Sequence, residues 1–343
     1  MPVTIKVLDA QSMEDWDNYV QSAQAATFFH RAGWKTVLEQ AFRHKTFFLY
    51  AVDNDVVVGI LPLAQVKSVL FGNTLSSLPF CVYGGIVADN EEVAQALRQH
   101  ACELAQSLKV GALELRNFSA SGTDWPVKEL YFTFRKQIDA DHEVNLKAIP
   151  NRQRAMVRKG IQEGLQSEWD EGTQRLYRVY SESVRNLGTP VFSSKYLRIL
   201  KRVFGNDCSV LMITHEGQDV AAVMSFYFRD EVIPYYGGST SAARSLKGVN
   251  HFMYWELMRH SAVQGYRLFD FGRSKAGTGP FSFKKNFGFE PQPLPYEYYL
   301  VTSDAMPDVN PLNPKYRLMI SVWTKLPLSV ANTIGPLLAR SLG

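Results

Sequence analysis

The sequence predicts an α/β (α+β) fold of two tandem domains, each a mixed twisted sheet flanked by helices. Three observations predict it. Apolar segments of strand length alternate with amphipathic helical segments along most of the chain. The order of these segments occurs twice. Hairpin turns interrupt the alternation, so the sheets are mixed rather than purely parallel. With 343 residues, 46% hydrophobic and 20% charged, the chain has the length for two cores.

In the first half, residues 3–8 read as a strand and residues 13–24 as a helix. Residues 28–43, FFHRAGWKTVLEQAFR, read as a second helix with Trp34, Val37, Leu38 and Ala41 on one face. Residues 46–52 and 56–65 are strands around Asp53-Asn54-Asp55, whose turn chemistry makes them a hairpin. Gly59 and Pro62 predict a bulge or an edge in the second of these strands. A longer segment ends in Cys81-Val82-Tyr83-Gly84-Gly85-Ile86. Residues 91–109 form an amphipathic helix, with Val93, Leu97, Ala101, Leu104 and Leu108 at helical spacing. Residues 112–115 are a strand closing with Arg116-Asn117.

The second half follows the same order. Residues 177–187 and 194–204 read as helices. Strands 210–214 and 220–228 flank the turn Glu216-Gly217-Gln218, and 231–236 lead into a Tyr236-Gly237-Gly238 turn. A helix over 250–264 and a strand over 268–271 complete the copy. FFLYAVDNDVVVGI lies over VLMITHEGQDVAAVMSF, and CVYGG over PYYGG. The steps from Tyr83 to Arg116 and from Tyr236 to Arg273 are nearly equal. We read an internal duplication of one unit of about 150 residues. Between the copies, 118–125 read as loop, 131–136 and 142–145 as strands, and Pro150 starts a helix. The expected domains are therefore 1–150 with the connection, 151–309, and a helical tail over 310–343.

Composition excludes several classes. A net charge of +4, from 37 basic and 33 acidic residues, is too mild for general nucleic-acid binding. Cys81, Cys102 and Cys208 lie far apart without CxxC or Cys/His ligand spacing, which speaks against structural zinc. Their odd number fits a reducing compartment. The N-terminus lacks the cationic start and apolar core of a signal peptide, and no apolar run of about 18 residues occurs. The expected location is the cytoplasm.

Two stretches carry candidate chemistry. Residues 151–160 hold Arg152, Arg154, Arg158 and Lys159 with no acid before Glu163. Arg154 and Arg158 share a helix face, and guanidinium groups hold oxyanions in a bidentate fork. The other reading is a solvated helix face. The second stretch begins with the strand Phe269-Asp270-Phe271-Gly272. Arg273, Ser274 and Thr278 follow on a loop containing Gly277 and Gly279, and then come Lys284, Lys285 and Gly288. Strand ends of this kind, with glycines admitting a close backbone approach, are where α/β proteins hold ligands.

These segments come in a known order. The basic helix, Tyr236-Gly237-Gly238, the helix after Asn250, Asp270-Phe271-Gly272 and Phe283-Lys284-Lys285-x-x-Gly288 together resemble the FemAB-like branch of the GNAT N-acyltransferase superfamily, with two tandem GNAT-like domains. FFHRAGW, DFGRSKAGTGPFSFKKNFG and the tail NPKYRLMISVWTKLPLSVANTIGPLLARSLG resemble, more narrowly, FemAB-related proteins associated with PEP-CTERM protein sorting and exopolysaccharide gene clusters. The resemblance implies transfer of an acyl or aminoacyl group to an amine on a cell-envelope or exopolysaccharide precursor. The acceptor would be a small molecule or a lipid- or nucleotide-linked glycan. The donor would be acyl-CoA, acyl-carrier protein or aminoacyl-tRNA, with no bound cofactor and no metal. The family's transfer-site lysine corresponds to Lys284, with Lys285 beside it, and its anion path to Arg154 and Arg158; Lys159 on the same helix is a further candidate for substrate binding. Two departures stand out. The stretch Arg244 to Asn250 is one residue out of register with a CoA pyrophosphate loop, and no sustained heptad marks a tRNA-binding coiled-coil arm.

For the chemistry, Lys284, Lys285 and Arg273 supply a positive field for an oxyanion, and Asp270 and Glu256 are the carboxylates that could take a proton. Asp270 reads equally as a strand-end residue bonding backbone amides, and Glu256 as an exposed helix residue. Tyr236, Asn250 and Ser274 are expected to touch substrate. Asp270-Phe271-Gly272 is not a kinase motif, since no catalytic loop or phosphate loop precedes it. Gly277-x-Gly279 lacks the ending of a P-loop. The tail holds helix-like segments over 316–325 and 328–338, read either as a clasp on the domains or as a peripheral contact with the inner membrane. The alternative function is a catalytically inert duplicated fold that binds polyanionic glycan or scaffolds its assembly.

Overall fold

The computed structural model describes residues 3–68, 72–307 and 314–342. In chain order the first elements are β1 (Thr4–Val7), α1 (Met13–Ser22), α2 (Gly33–Val37), β2 (Lys45–Asp53), β3 (Val56–Ser68), β4 (Gly72–Ser77), β5 (Val87–Ala88), α3 (Glu91–Ser107), β6 (Ala112–Arg116) and β7 (Val127–Gln137). There follow α4 (His142–Ala148), α5 (Asn151–Gln162), β8 (Gln166–Trp169), α6 (Gln174–Asn186), α7 (Ser194–Phe204), β9 (Cys208–His215), β10 (Gln218–Phe228) and β11 (Glu231–Ser239). The last are α8 (Val249–Val263), β12 (Leu268–Asp270), β13 (Ser274–Lys275), α9 (Gly279–Asn286), β14 (Pro291–Leu300), α10 (Pro314–Trp323) and α11 (Leu328–Ala339).

The chain forms two compact units. One comprises Met1–Tyr131, Pro293–Val309 and Arg340–Gly343, and the other Phe132–Gln292 and Asn310–Ala339. This division differs from the expected cut at residue 150. The chain changes unit within β7, because the second half of that strand pairs with β12: Gln137 faces Leu268 and Arg135 faces Asp270. The helices α10 and α11 belong to the second unit instead of forming a separate piece, and the expected boundary at 309/310 lies outside the described residues.

In the first unit the sheet order is β1-β2-β3-β4-β6-β14, antiparallel except between β4 and β6. Asn54 and Asp55 both take positive φ, 47° and 63°, which closes the β2–β3 hairpin as their residue types predict. The bulge expected near Gly59 is present, since Ala51 faces Gly59 while Val52 faces Val57. Leu61, Leu63, Leu75, Leu113 and Leu115 meet Val93, Leu97 and Ala101 of α3 in one core. The single helix expected over residues 28–43 is broken. Thr27 caps a short 3-10 turn, Phe28–His30, by accepting from Phe29 N at 3.3 Å, and Arg31 is extended before α2 begins.

In the second unit the order is β7-β12-β11-β10-β9-β8, with only β11 and β12 parallel. Its core joins Val223, Val232 and Phe269 of the sheet to Phe252, Met253, Trp255 and Leu257 of α8. On the opposite face α6 and α7 cover β9 to β11, and α11 packs on α6. Residues 142–145, expected as a strand, lie in helix α4. Asp141 caps that helix by accepting from Glu143 N at 2.8 Å, a local bond that overrides the apolar alternation. The expected Tyr236-Gly237-Gly238 turn is strand. Gly237 faces Val223 and Gly238 faces Ala222 within the β10–β11 ladder.

Candidate functional site

Two parallel strands of the second unit part company, and the site lies in the opening. β11 pairs with β12 only at Glu231–Leu268 and Val232–Phe269, yet it continues to Ser239. The local sequence accounts for this. Pro234 has no N–H to offer a neighbouring strand, and the ladder shifts register there: Met224 faces Tyr236 while Ser225 faces Pro234. Such a bulge bends its strand. A cavity of about 430 Å³ occupies this region. Gly237 to Thr240 line one wall, and Ser183, Asn186 and Leu187 of α6 line a second. Arg244, Asn250, Met253 and Tyr254 of the turn and helix after β11 contribute a third, facing Phe271 and Gly279, Pro280, Phe283 and Lys284 of α9.

The glycines set the walls. A side chain on Gly238 would overlap Ser183, whose hydroxyl accepts from Ser239 N at 3.3 Å. Gly248 takes φ 76° just before α8, and a side chain there would overlap the Met156 carbonyl of α5. That close approach pins the turn that presents Arg244 and Asn250 to the cavity.

Lys284 sits in the last turn of α9, which Thr278 caps by accepting from Phe281 N. The Lys284 ammonium donates to the carbonyls of Phe271, Gly272 and Arg273 at 2.7, 3.0 and 3.1 Å. It also stands 5.6 Å from the Phe134 ring centroid. Burial pulls its pKa down to about 7; the Asp270 carboxylate opposes that shift and Arg273 adds to it. Three carbonyls around one nitrogen favour the ammonium, because only the charged form has three hydrogens to give them. The two influences oppose each other, so Lys284 is a cation held where a proton can leave it near neutral pH. Tyr254 is different: burial pushes its phenol up to about 12, so it is a neutral donor.

The carboxylates named as bases lie elsewhere. Asp270 is fully buried, accepts from Gly272 N at 2.6 Å and Thr133 Oγ1 at 3.2 Å, and pairs with Arg135 at 3.3 Å. Arg135 also holds Glu231 at 2.6 Å. Burial, then the neighbouring Asp270, raise Glu231 to about 7 against the pull of Arg135. Asp270 therefore anchors the end of β12, the structural alternative raised by its sequence position. Glu256 faces away from the cavity, bonded to Ser167 at 2.7 Å and paired with Arg259 at 2.8 Å. No Asp or Glu is among the lining residues.

Of the other expected contacts, Asn250 lines the cavity and the rest do not. Tyr236 is buried, with its hydroxyl 2.6 Å from that of Tyr196, because the strand conformation turns it into the core instead of leaving it beside a turn. Ser274 is buried and Lys285 exposed. Arg273 offers its carbonyl to Lys284. Arg158 and Lys159 are exposed on α5, and Arg154 donates to the Lys147 carbonyl at 2.9 Å. Sequence reading missed Ser183, Asn186, Ser239 and Thr240. The pairing of a strand glycine with a helix serine leaves no trace in either segment.

In the first unit the equivalent motif is closed. Gly84 N and Gly85 N both donate to the Arg116 carbonyl, at 3.2 and 3.1 Å, which stitches the YGG segment to the end of β6.

Residues 151–285 match the family model described as an acetyltransferase (GNAT) domain. No curated protein matches the chain in sequence. Among solved structures, FemX is 14% identical with a TM-score of 0.68, covering 92% of this chain and 100% of its own. The C-terminal domain of a putative lysylphosphatidylglycerol synthetase from Agrobacterium fabrum is 14% identical with a TM-score of 0.57, covering 84% and 92%. A tandem GNAT protein from the clavulanic acid biosynthesis pathway is 13% identical with a TM-score of 0.56, covering 88% and 100%. The fold is thus the mixed α/β arrangement that these structures share, and residues 151–285 are similar to a GNAT acetyltransferase domain.

Proposed function

We propose that the protein is an N-acyltransferase whose second unit moves an acyl or aminoacyl group onto an amine of a cell-envelope or exopolysaccharide precursor. The observation that carries this reading is the cavity where β11 and β12 diverge, walled by the GNAT-matching segment and bordered by Arg244 and Lys284. Gly237 to Ser239, at the end of β11 beyond its ladder with β12, line the cavity and present their backbone to an extended, amide-bearing donor. Arg244 and the first turn of α8 lie where an anionic part of that donor would rest.

The acceptor amine attacks the donor carbonyl, and charge builds on its oxygen. The Lys284 field and the neutral Tyr254 hydroxyl stabilise that charge. With no carboxylate in the lining, the amine gives its proton to water while Lys284 stays an ammonium. The tetrahedral intermediate then collapses to the amide, breaking the donor's C–S or C–O bond, and the thiol or hydroxyl of the donor leaves with a proton. Most of the acceleration then comes from holding the reactants together. Arg154, Arg158 and Lys159 of α5 would meet an anionic substrate on its approach. FemX and the lysylphosphatidylglycerol synthetase domain share the fold at low identity, which supports a transferase fold; the envelope substrate is part of the proposal. The narrower association with PEP-CTERM sorting and exopolysaccharide clusters, and a cytoplasmic location, belong to the same proposal.

The test offers the purified protein acyl-CoA, acyl-carrier-protein and aminoacyl-tRNA donors with UDP-amino sugars and follows new mass. Consumption of one donor, lost in Lys284→Ala, is the expected result. The alternative, an inert fold binding polyanionic glycan, draws on the exposed Arg152, Arg158 and Lys159 of α5. It prevails if no donor is consumed and Lys284→Ala leaves the cellular phenotype intact.

A further inference from the structure

Among the described residues of α10 and α11, five large apolar side chains are exposed. α11 buries three small residues, Ala331, Gly335 and Ala339. Val330, Ile334 and Leu337 stay outside, Leu337 at 66% exposure. These three are spaced four and three apart, which is one helix face. In α10, Met319 and Val322 are exposed at 56% and 54%, while Ile320 is set against Gly188. An ordinary surface helix does the reverse and buries its large apolar stripe. A clasp on the protein would do so too. Single exposed apolar residues need no explanation, but consecutive ones on two adjoining helices do.

The charge of this segment points to what covers it. Residues 310–343 contain Lys315, Arg317, Lys325 and Arg340 and no Asp or Glu. Lys325 is exposed between the two helices. The helices have 10 and 12 residues, and no helix among the described residues is long and apolar enough to cross a membrane.

We propose that α10 and α11 dock on an anionic lipid surface, lying in the plane of the headgroups with their aliphatic side chains inserted. Aliphatic residues in a segment whose only charged residues are cations match a layer that is apolar within and negative at its surface. The cavity is tied to this surface. Leu187 lines it and is 70% exposed, and Arg185 on the same helix donates to the carbonyls of Thr324 and Leu326 between α10 and α11, at 3.3 and 3.5 Å. If the proposed transfer site stands, its acceptor is lipid-linked; the docking itself does not depend on that reading.

Flotation of the full chain with vesicles tests the proposal. Phosphatidylglycerol vesicles should carry the protein and phosphatidylcholine vesicles much less of it. Raising salt from about 0.1 M to 1 M, where the Debye length falls from about 10 to 3 Å, should weaken the binding. The double variant Ile334→Glu/Leu337→Glu should lose at least about tenfold in partitioning. If that variant unfolds by circular dichroism, the single Leu337→Gln serves, with a smaller expected loss. No flotation of the wild type at low salt overturns the proposal, and so does equal flotation of a folded variant. A concentration-dependent dimer in ultracentrifugation, broken by these substitutions and without vesicle binding, would assign the face to a second copy instead. Transfer to a water-soluble amine should be unchanged in the double variant, which separates failure of docking from failure of the transfer site.

Discussion

The ammonium of Lys284 donates to the carbonyl of Phe271 at 2.7 Å, so a residue of α9 closes the end of β12. The same nitrogen holds the next two carbonyls. Lys284 is therefore both a wall of the cavity and the fastening of the strand that forms it. Lys284→Met should cost about 2–4 kcal/mol, because three carbonyls lose their donor in a partly buried place. Urea denaturation measures this loss. Lys284→Arg should recover part of the stability but not the transfer, since a planar guanidinium cannot aim three hydrogens at one cluster.

A pH effect follows from the buried set Arg135, Glu231 and Asp270. The pKa of Glu231 is raised to about 7 from an ordinary value near 4.5. A carboxyl whose folded pKa exceeds its unfolded one binds more protons when folded, so its contribution falls as pH rises between those values. Wild-type stability should therefore carry a falling component from about pH 4.5 to 7. Asp270→Asn removes a neighbouring anion and should shrink it. Urea midpoints across that window, compared between the two proteins, give the answer; parallel curves would refute the assignment.

Gly238 has no room for a side chain beside Ser183. Gly238→Ala should destabilise by about 1–3 kcal/mol through overpacking, and should narrow the cavity enough to raise KM for the donor. In a Ser183→Gly background, itself costing about 1 kcal/mol in a helix, the added alanine should cost less. A double-mutant cycle reads this coupling directly.

Glu256 is occupied by Ser167 and Arg259 and stands outside the cavity lining. Glu256→Gln should leave turnover within about twofold of wild type and change stability by no more than about 1 kcal/mol, the usual worth of such a pair. Loss of activity in a folded Glu256→Gln protein would return that carboxylate to the chemistry.

Much of the architecture is local and was legible. The hairpins at Asn54-Asp55 and Glu216-Gly217 follow from Asn54, Asp55 and Gly217, types that accept positive φ, observed at 47°, 63° and 77°. The helix α3 follows from its 3.6-residue periodicity and from Asn90, which accepts from Val93 N. Short segments resisted reading. Residues 142–145 form a helix because of a cap, and Tyr236-Gly237-Gly238 form a strand because a glycine pair marks close packing as readily as a turn.

By itself, then, the sequence determined the α/β class, the duplicated order of segments, and Lys284 and Asn250 as residues of interest. Periodicity, turn chemistry and motif order all lie within a few residues of one another, so they survive without coordinates. Only the tertiary structure decided which polar groups face the cavity. Asp270 goes to Arg135 and Glu256 to Arg259, while Ser183 comes from a helix more than fifty residues before Gly238. Those partners are fixed by the bulge at Pro234, by the parting of β11 from β12 and by the seating of α6 on the sheet. Each of these is a long-range contact, and a polar residue in a sequence does not state which such contact will claim it.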